Sequence, residues 1–184
     1  MVDSKFEVQR PEANGAMLKK RPMEIELRRT TEQDLSFVIA AEGDEENRRF
    51  ITSWPEEKHR AALNDADMQH LIIESKPNDQ RVGFVILAGL QSEHRNIEFM
   101  RLVITEKAKG YGRAAVQSIK RHAFKTLAAH RLWLDVKEHN TRARALYENE
   151  GFRYEGTLRE CLKSTDGFES LVVMSLLEQE YRDA

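Results

Sequence analysis

The run EKAKGYGRAAV, residues 106–116, sets two glycines one residue apart, Gly110 and Gly112, between the cations Lys109 and Arg113. A tract of good helix formers follows. Glycines before a helix serve a tight turn in the simplest case. They also let anionic oxygens approach backbone N–H groups that a side chain would screen. A helix start adds unsatisfied donors and the positive end of the helix dipole. Lys109 and Arg113 supply charge-assisted contacts. The pattern suits a pyrophosphate held by backbone donors from Gly110 through Tyr111, Gly112 and Arg113 to Ala114.

Other chemistries are poorly provided for. A single cysteine, Cys161, excludes an internal disulfide and any multi-cysteine zinc site. The six histidines are scattered and form no HExxH pair, so no metal is expected. With 29 basic and 31 acidic residues and a formal charge of -2, no basic excess recommends nucleic acid as a partner. No apolar run approaches a membrane span, and the N-terminus lacks the apolar core of a secretion signal. A cytoplasmic protein is the expectation. Its 184 residues, 40% hydrophobic and 33% charged, suit one soluble domain with a sizeable core.

The elements that must position the glycine run can be read along the chain. Residues 1–22 are polar, with Pro11, Asn14-Gly15 and the basic run LKKRP, and read as an extension or arm. An edge strand or a contact with another subunit, as in a homodimer, would give this arm a place. The domain proper spans residues 23–184. MEIELRR alternates as a half-buried strand. Thr30 or Thr31 caps the helix LSFVIAAEG, with Asp34 completing a capping-box pattern. EEKHRAALNDA is a helix, and HLIIES and RVGFVILAGL are strands around a Pro77-Asn78-Asp79 turn. NIEFMRLVIT is the strand before the glycine run. From Arg113 to Ala129, Val116, Ile119, Ala123 and Leu127 share a helical face. RLWLDVKE is a strand, and a short helix follows from Asn140 or Thr141 to Glu150, with Gly151 at its left-handed end. RYEGTLRECLK and SLVVMSLLEQE are strands around a TDG turn. The order implies an α+β domain, a mixed, mostly antiparallel sheet with helices on both faces, an α/β/α sandwich.

The motifs on these elements resemble the GCN5-related N-acetyltransferase (GNAT) family over residues 23–180. The family signature is Gln/Arg-x-x-Gly-x-Gly/Ala between the fourth strand and third helix. Here it reads Lys107-Ala108-Lys109-Gly110-Tyr111-Gly112, with Lys in the first position. Asn140 to Tyr147, followed by Glu150-Gly151-Phe152, is similar to the family's Asn-x-x-Ser-x-x-x-Tyr…Gly-Phe run, with Ala143 in place of serine. The ending, Glu155 to Glu160 and then Gly167-Phe168, resembles the ribosomal-protein N-terminal acetyltransferase branch, although Glu169-Ser170 replaces its usual aspartate.

The resemblance implies acetyl-coenzyme A as co-substrate and a primary amine as acceptor, joined by direct attack in a ternary complex. It implies that Tyr147 protonates the departing sulfur; spacing alone reads this tyrosine as packing beside Leu146. It implies that the backbone of Leu102, Val103 and Ile104 binds the pantetheine arm and acetyl carbonyl, an N–H there serving as oxyanion donor. Asn140 either contacts the cofactor's arm or caps the next helix. Arg144 reaches either the adenosine phosphates or solvent. Glu98 is either the general base, its pKa raised by partial burial, or an ordinary strand glutamate; a base acting through water, or capture of the neutral amine, would also serve. A protein N-terminus, a polyamine and an amino-group antibiotic all remain open as acceptors. A non-catalytic acyl-coenzyme A-binding module on the same fold is the competing function.

Overall fold

The structure, a computed structural model, describes residues 23–165 and 167–181. The N-terminal arm read at residues 1–22 lies outside them. Seven strands form one sheet in the order β1-β2-β3-β4-β5-β7-β6. They are β1 (Ile25–Arg29), β2 (Met68–Ser75), β3 (Gln80–Ala88), β4 (Asn96–Ile104), β5 (Arg131–Lys137), β6 (Arg153–Ser164) and β7 (Gly167–Leu177). Every neighbouring pair is antiparallel except β4 with β5. The helices are α1 (Leu35–Gly43), α2 (Glu45–Arg48), α3 (Glu56–Leu63), α4 (Tyr111–Arg121) and α5 (Thr141–Asn149). The expected mixed sheet with helices on both faces is what the chain forms. No described helix is long and apolar enough to cross a membrane.

The sequence pattern explains which strands are central. The apolar runs of β2 and β3 are buried on both faces, as interior strands require. β4 alternates buried and half-buried residues along its whole length. One face of the sheet packs Val116, Ile119 and Ala123 of the α4 segment against Phe99, Leu132 and Leu134. The opposite face packs Val38 and Ala41 of α1 against Ile72, Phe84 and Val103. β4 contributes to both cores.

Two local features depart from the sequence reading. The helix read to Ala129 ends at Arg121 and gives way to a π turn over His122–Thr126, in which the Leu127 N–H donates to the His122 carbonyl at 3.0 Å. This wider turn buries both Ala123 and Phe124, and Ala128 then reverses the chain at φ +53° towards β5. The short helix α2 has no counterpart among the elements read from the sequence.

The start of α1 shows how charge fixes a corner of the fold. The Asp34 carboxylate accepts the Thr31 N–H and hydroxyl, each at 2.9 Å, and two guanidinium N–H groups of Arg28 at 2.7 and 2.9 Å. Bonding from Arg28 outweighs the cost of burial and holds this carboxyl well below the usual carboxylate range. Its stabilising contribution is thus present above the unfolded-state pKa of about 3.9 and is lost as pH falls towards the folded value. Asp34→Asn is expected to cost about 1–2 kcal/mol at pH 7 in urea unfolding. The gap from the parent should narrow steadily as the titration is repeated down to pH 3; a constant gap would remove the charge from the explanation.

Candidate active site

A cleft opens where β4 and β5 part. The two strands pair only at Asn96↔Arg131, Ile97↔Leu132 and Glu98↔Trp133. β4 then follows β3 out to Gly83↔Ile104, while β5 follows β7 over all of Arg131–Lys137. Met100 is skipped in the β3–β4 register, which runs from Leu87↔Phe99 to Ile86↔Arg101. An extra residue of this kind bends and twists its strand, here at the point of parting. The β5-facing side of residues 99–104 is left without a strand partner. The resulting cleft has a volume of about 780 Å³ and is lined by Leu102, Val103 and Ile104 among others.

At one end lies the start of α4. Gly110 caps it at φ +95°, a left-handed conformation that favours glycine. The Ala114 N–H donates to the Gly110 carbonyl at 3.2 Å. The cradle read from Gly110 to Ala114 is therefore shorter: the N–H groups of Tyr111, Gly112 and Arg113 have no partner among the described residues, and that of Ala114 is used. The Tyr111 side chain enters the core, so only its backbone faces an anion. A Cβ on Gly112 would meet Leu146 Cδ2 at 3.5 Å, and both residues line the cleft. A single methyl would fit; a branched side chain would fill the cradle.

The cations read around the glycines divide. Arg113 lines the cleft and pairs with Glu150 at 3.2 Å. Lys109 is exposed, pairs with Glu106 and is not in the lining. Lys107, the departure in the signature, lines the cleft and reaches Glu46 of α2 at 2.9 Å. Arg144 turns away from the cleft and donates to the Glu138 carbonyl at 3.1 Å. Arg142, which sequence reasoning passed over, lines it instead. Asn140 lines the cleft and also caps α5, its Oδ1 accepting the Ala143 N–H at 3.2 Å.

Tyr147 lines the cleft. Its ring meets Phe99 edge-on at 5.8 Å and Phe152 at 5.8 Å. Its hydroxyl has no hydrogen-bond partner among the described residues. Burial, and then the charge of Asp135, push the phenol above its ordinary pKa, which keeps it protonated at neutral pH. Asp135 lines the cleft, whereas Glu98 does not. Leu134 and Val136 belong to the core on the α4 side, so by strand alternation Asp135 faces the α1 side. Loss of hydration raises its carboxyl although it is exposed to the cleft. Glu98 is raised by burial and then by Asp135.

Beneath the α1 side of the cleft runs a buried polar chain. The Glu42 carboxylate, 1% exposed, pairs with Arg101 and accepts the Trp54 N–H at 2.8 Å. Arg101 also donates to the Thr52 carbonyl at 2.9 Å and stacks over the Trp54 ring, 4.5 Å from its centroid. His59 Nε2 is 3.4 Å from Glu42, His59 Nδ1 is 3.1 Å from His70 Nε2, and His70 Nδ1 is 2.9 Å from the Thr30 hydroxyl. Burial pushes the Glu42 carboxyl up, but His59, Arg101 and the Trp54 N–H together hold it below the ordinary range. Burial and the neighbouring His59 lower His70 to about 4. The chain pins residues 52–54, so that Arg101 and Thr52 form a firm wall of the cleft.

Comparison with known proteins gives this geometry a context. Residues 24–153 match the family described as "Acetyltransferase (GNAT) domain". The spermidine N(1)-acetyltransferase of Vibrio cholerae serotype O1 is 25% identical over 169 residues, covering 86% of this chain and 95% of that protein. A crystal structure of spermidine N-acetyltransferase from Vibrio cholerae, in complex with CoA and spermine, superposes with a TM-score of 0.78 at 23% identity, over 85% of this chain and 97% of the other. A dodecameric structure of that enzyme gives 0.74 at 24% identity, over 85% and 95%. These relatives do not support the ribosomal-protein N-terminal acetyltransferase branch to which the C-terminal run was likened.

The short cradle makes a direct demand on Gly112. Gly112→Val should weaken coenzyme A binding by at least about tenfold in calorimetry, with the melting temperature within a few degrees of the parent. Undiminished binding would take the α4 start out of the site.

Proposed function

Since the chain belongs to the acetyltransferase (GNAT) family and is an acetyl-CoA-dependent N-acetyltransferase, we propose that it acetylates a small primary amine by direct attack with both substrates bound. Spermidine, the substrate named for the relative, belongs to this class. One observation carries the reading: the unpaired N–H groups of α4, the unpaired edge of β4, Tyr147 and Asp135 all open into the same cleft.

The residues fit the co-substrate. Tyr111, Gly112 and Arg113 offer backbone donors to the pyrophosphate, and Arg113 and Arg142 add charge. The unpaired side of Leu102, Val103 and Ile104 offers backbone groups to the amides of the pantetheine arm. Bound there, the co-substrate supplies an acetyl group as a thioester. A β4 N–H serves as donor to the oxygen on which charge develops.

Asp135 receives the acceptor's ammonium. Its raised pKa improves it as a base for the ammonium's proton. Glu98, kept out of the cleft, feels the charge of Asp135 and does not meet the amine itself. On the other side of the parted strands, Tyr147 holds the proton that the leaving sulfur needs.

Tyr147→Phe is expected to lower kcat about a hundredfold with little change in KM for acetyl-CoA, as read by free-thiol release. A base with a raised pKa must lose its proton to work, so kcat/KM for the amine should rise with pH through that value, above the usual carboxylate range. Asp135→Asn should lower the plateau and erase this acid limb. A profile unchanged by the substitution would remove Asp135 from the chemistry.

A further inference from the structure

Several of the charges around the cleft are paired within the protein itself. Glu46 is taken by Lys107 at 2.9 Å, and Glu106 by Lys109. Arg101 is taken by Glu42, and Lys137 by Glu169 at 2.8 Å. Asp135 differs: no cation lies within ion-pair distance of it among the described residues. Its electrostatic neighbours Glu98 and Tyr147 are acids. The α1 side of the cleft therefore holds one anionic charge without a partner.

The surfaces around that charge are apolar. Ile51 and Met100 pack on the α1-side core and line the cleft. Phe50 of the segment after α2 and Leu162 and Leu171 of the β6–β7 hairpin complete the lining there. Phe50 is 37% exposed, a large apolar ring left partly open beside the cleft.

We infer that the acceptor is a monoamine with an apolar body, its single ammonium on Asp135 and its alkyl or aryl part against Phe50, Ile51, Met100, Leu162 and Leu171. This rests on the acetyltransferase reading and narrows its substrate class. A polyamine brings two or more further ammonium groups into the same space. Each would lose water without gaining a carboxylate, since Glu46 and Glu106 are already paired. An aryl or alkyl chain loses only its apolar hydration, which favours the transfer.

The test is steady-state acetyl transfer from acetyl-CoA to 2-phenylethylamine, hexylamine and spermidine, followed by thiol release at fixed pH and ionic strength. The monoamines are expected to exceed spermidine in kcat/KM by about tenfold or more. Spermidine equal to or better than both overturns the inference and leaves the acetyltransferase reading standing. No turnover with any of the three, with coenzyme A bound in calorimetry, overturns both. A gain-of-function variant gives an independent arm: Leu162→Glu places a second carboxylate in the lining, away from Asp135. It should shift the preference towards spermidine by about tenfold. A ratio unmoved by this change would show that charge count does not select the acceptor.

Discussion

Two ladders compete for the middle of the sheet. β5 is bound to β7 along its entire length, and β4 to β3 out to Ile104. With the bulge at Met100 turning β4, both ladders cannot be kept while β4 and β5 remain neighbours. The parallel ladder is the one that yields, after Glu98 and Trp133. Parallel pairing is slightly weaker per residue, and the antiparallel ladders on either side are longer. The gap leaves backbone donors and acceptors without partners in the centre of a folded sheet. Such groups are costly unless something polar meets them. A ligand with amides of its own can stand in for the missing strand, and the helix start at Gly110 faces the same opening.

The walls of the gap are held by charge rather than by apolar packing alone. A buried ion pair such as Glu42–Arg101 gains little net stability, because desolvation offsets the attraction. Its value is geometric. Arg101 is tied at once to Glu42, to the Thr52 carbonyl and to the face of Trp54, so three segments distant in sequence share one fixed point. Lys137 does the same on the other wall, donating to the Arg49 carbonyl at 3.1 Å while paired with Glu169. Arg101 and Lys137 are therefore structural cations, and the lone carboxylate of Asp135 stands out against them.

Much of this was legible in the sequence. The glycine run, the tyrosine helix and the strand before them were readable because each carries a local rule: Gly110 before a helix, Asn140 as a cap, the alternation of β4. Asp135 was not readable. Its place between Leu134 and Val136 marks only an outward-facing strand residue, and the outward face becomes a cleft wall solely because the strands part. Arg144 was named and Arg142 was not; both sit on the first turn of α5, but a difference of two residues, about 200°, puts them on opposite faces. Ala114 was assigned as a free donor, but the first bond of α4 ends the cradle one residue earlier. The Glu42–Arg101 pair joins residues 59 apart, beyond the reach of any pattern of spacing.

With both buried imidazoles neutral, one arrangement of protons meets the Glu42 carboxylate with a donor. A lone pair on His59 Nε2 facing the Glu42 carboxylate at 3.4 Å would be repelled, so that nitrogen bears hydrogen. Nδ1 of the same ring must then accept, and His70 Nε2 must donate to it. His70 Nδ1 is left to accept from the Thr30 hydroxyl. Every hydrogen in the series points from Thr30 towards Glu42. The row is a directed wire, and reversing any one link requires reversing them all. Threonine at position 30 is thus the origin of a polarity that ends beneath Arg101.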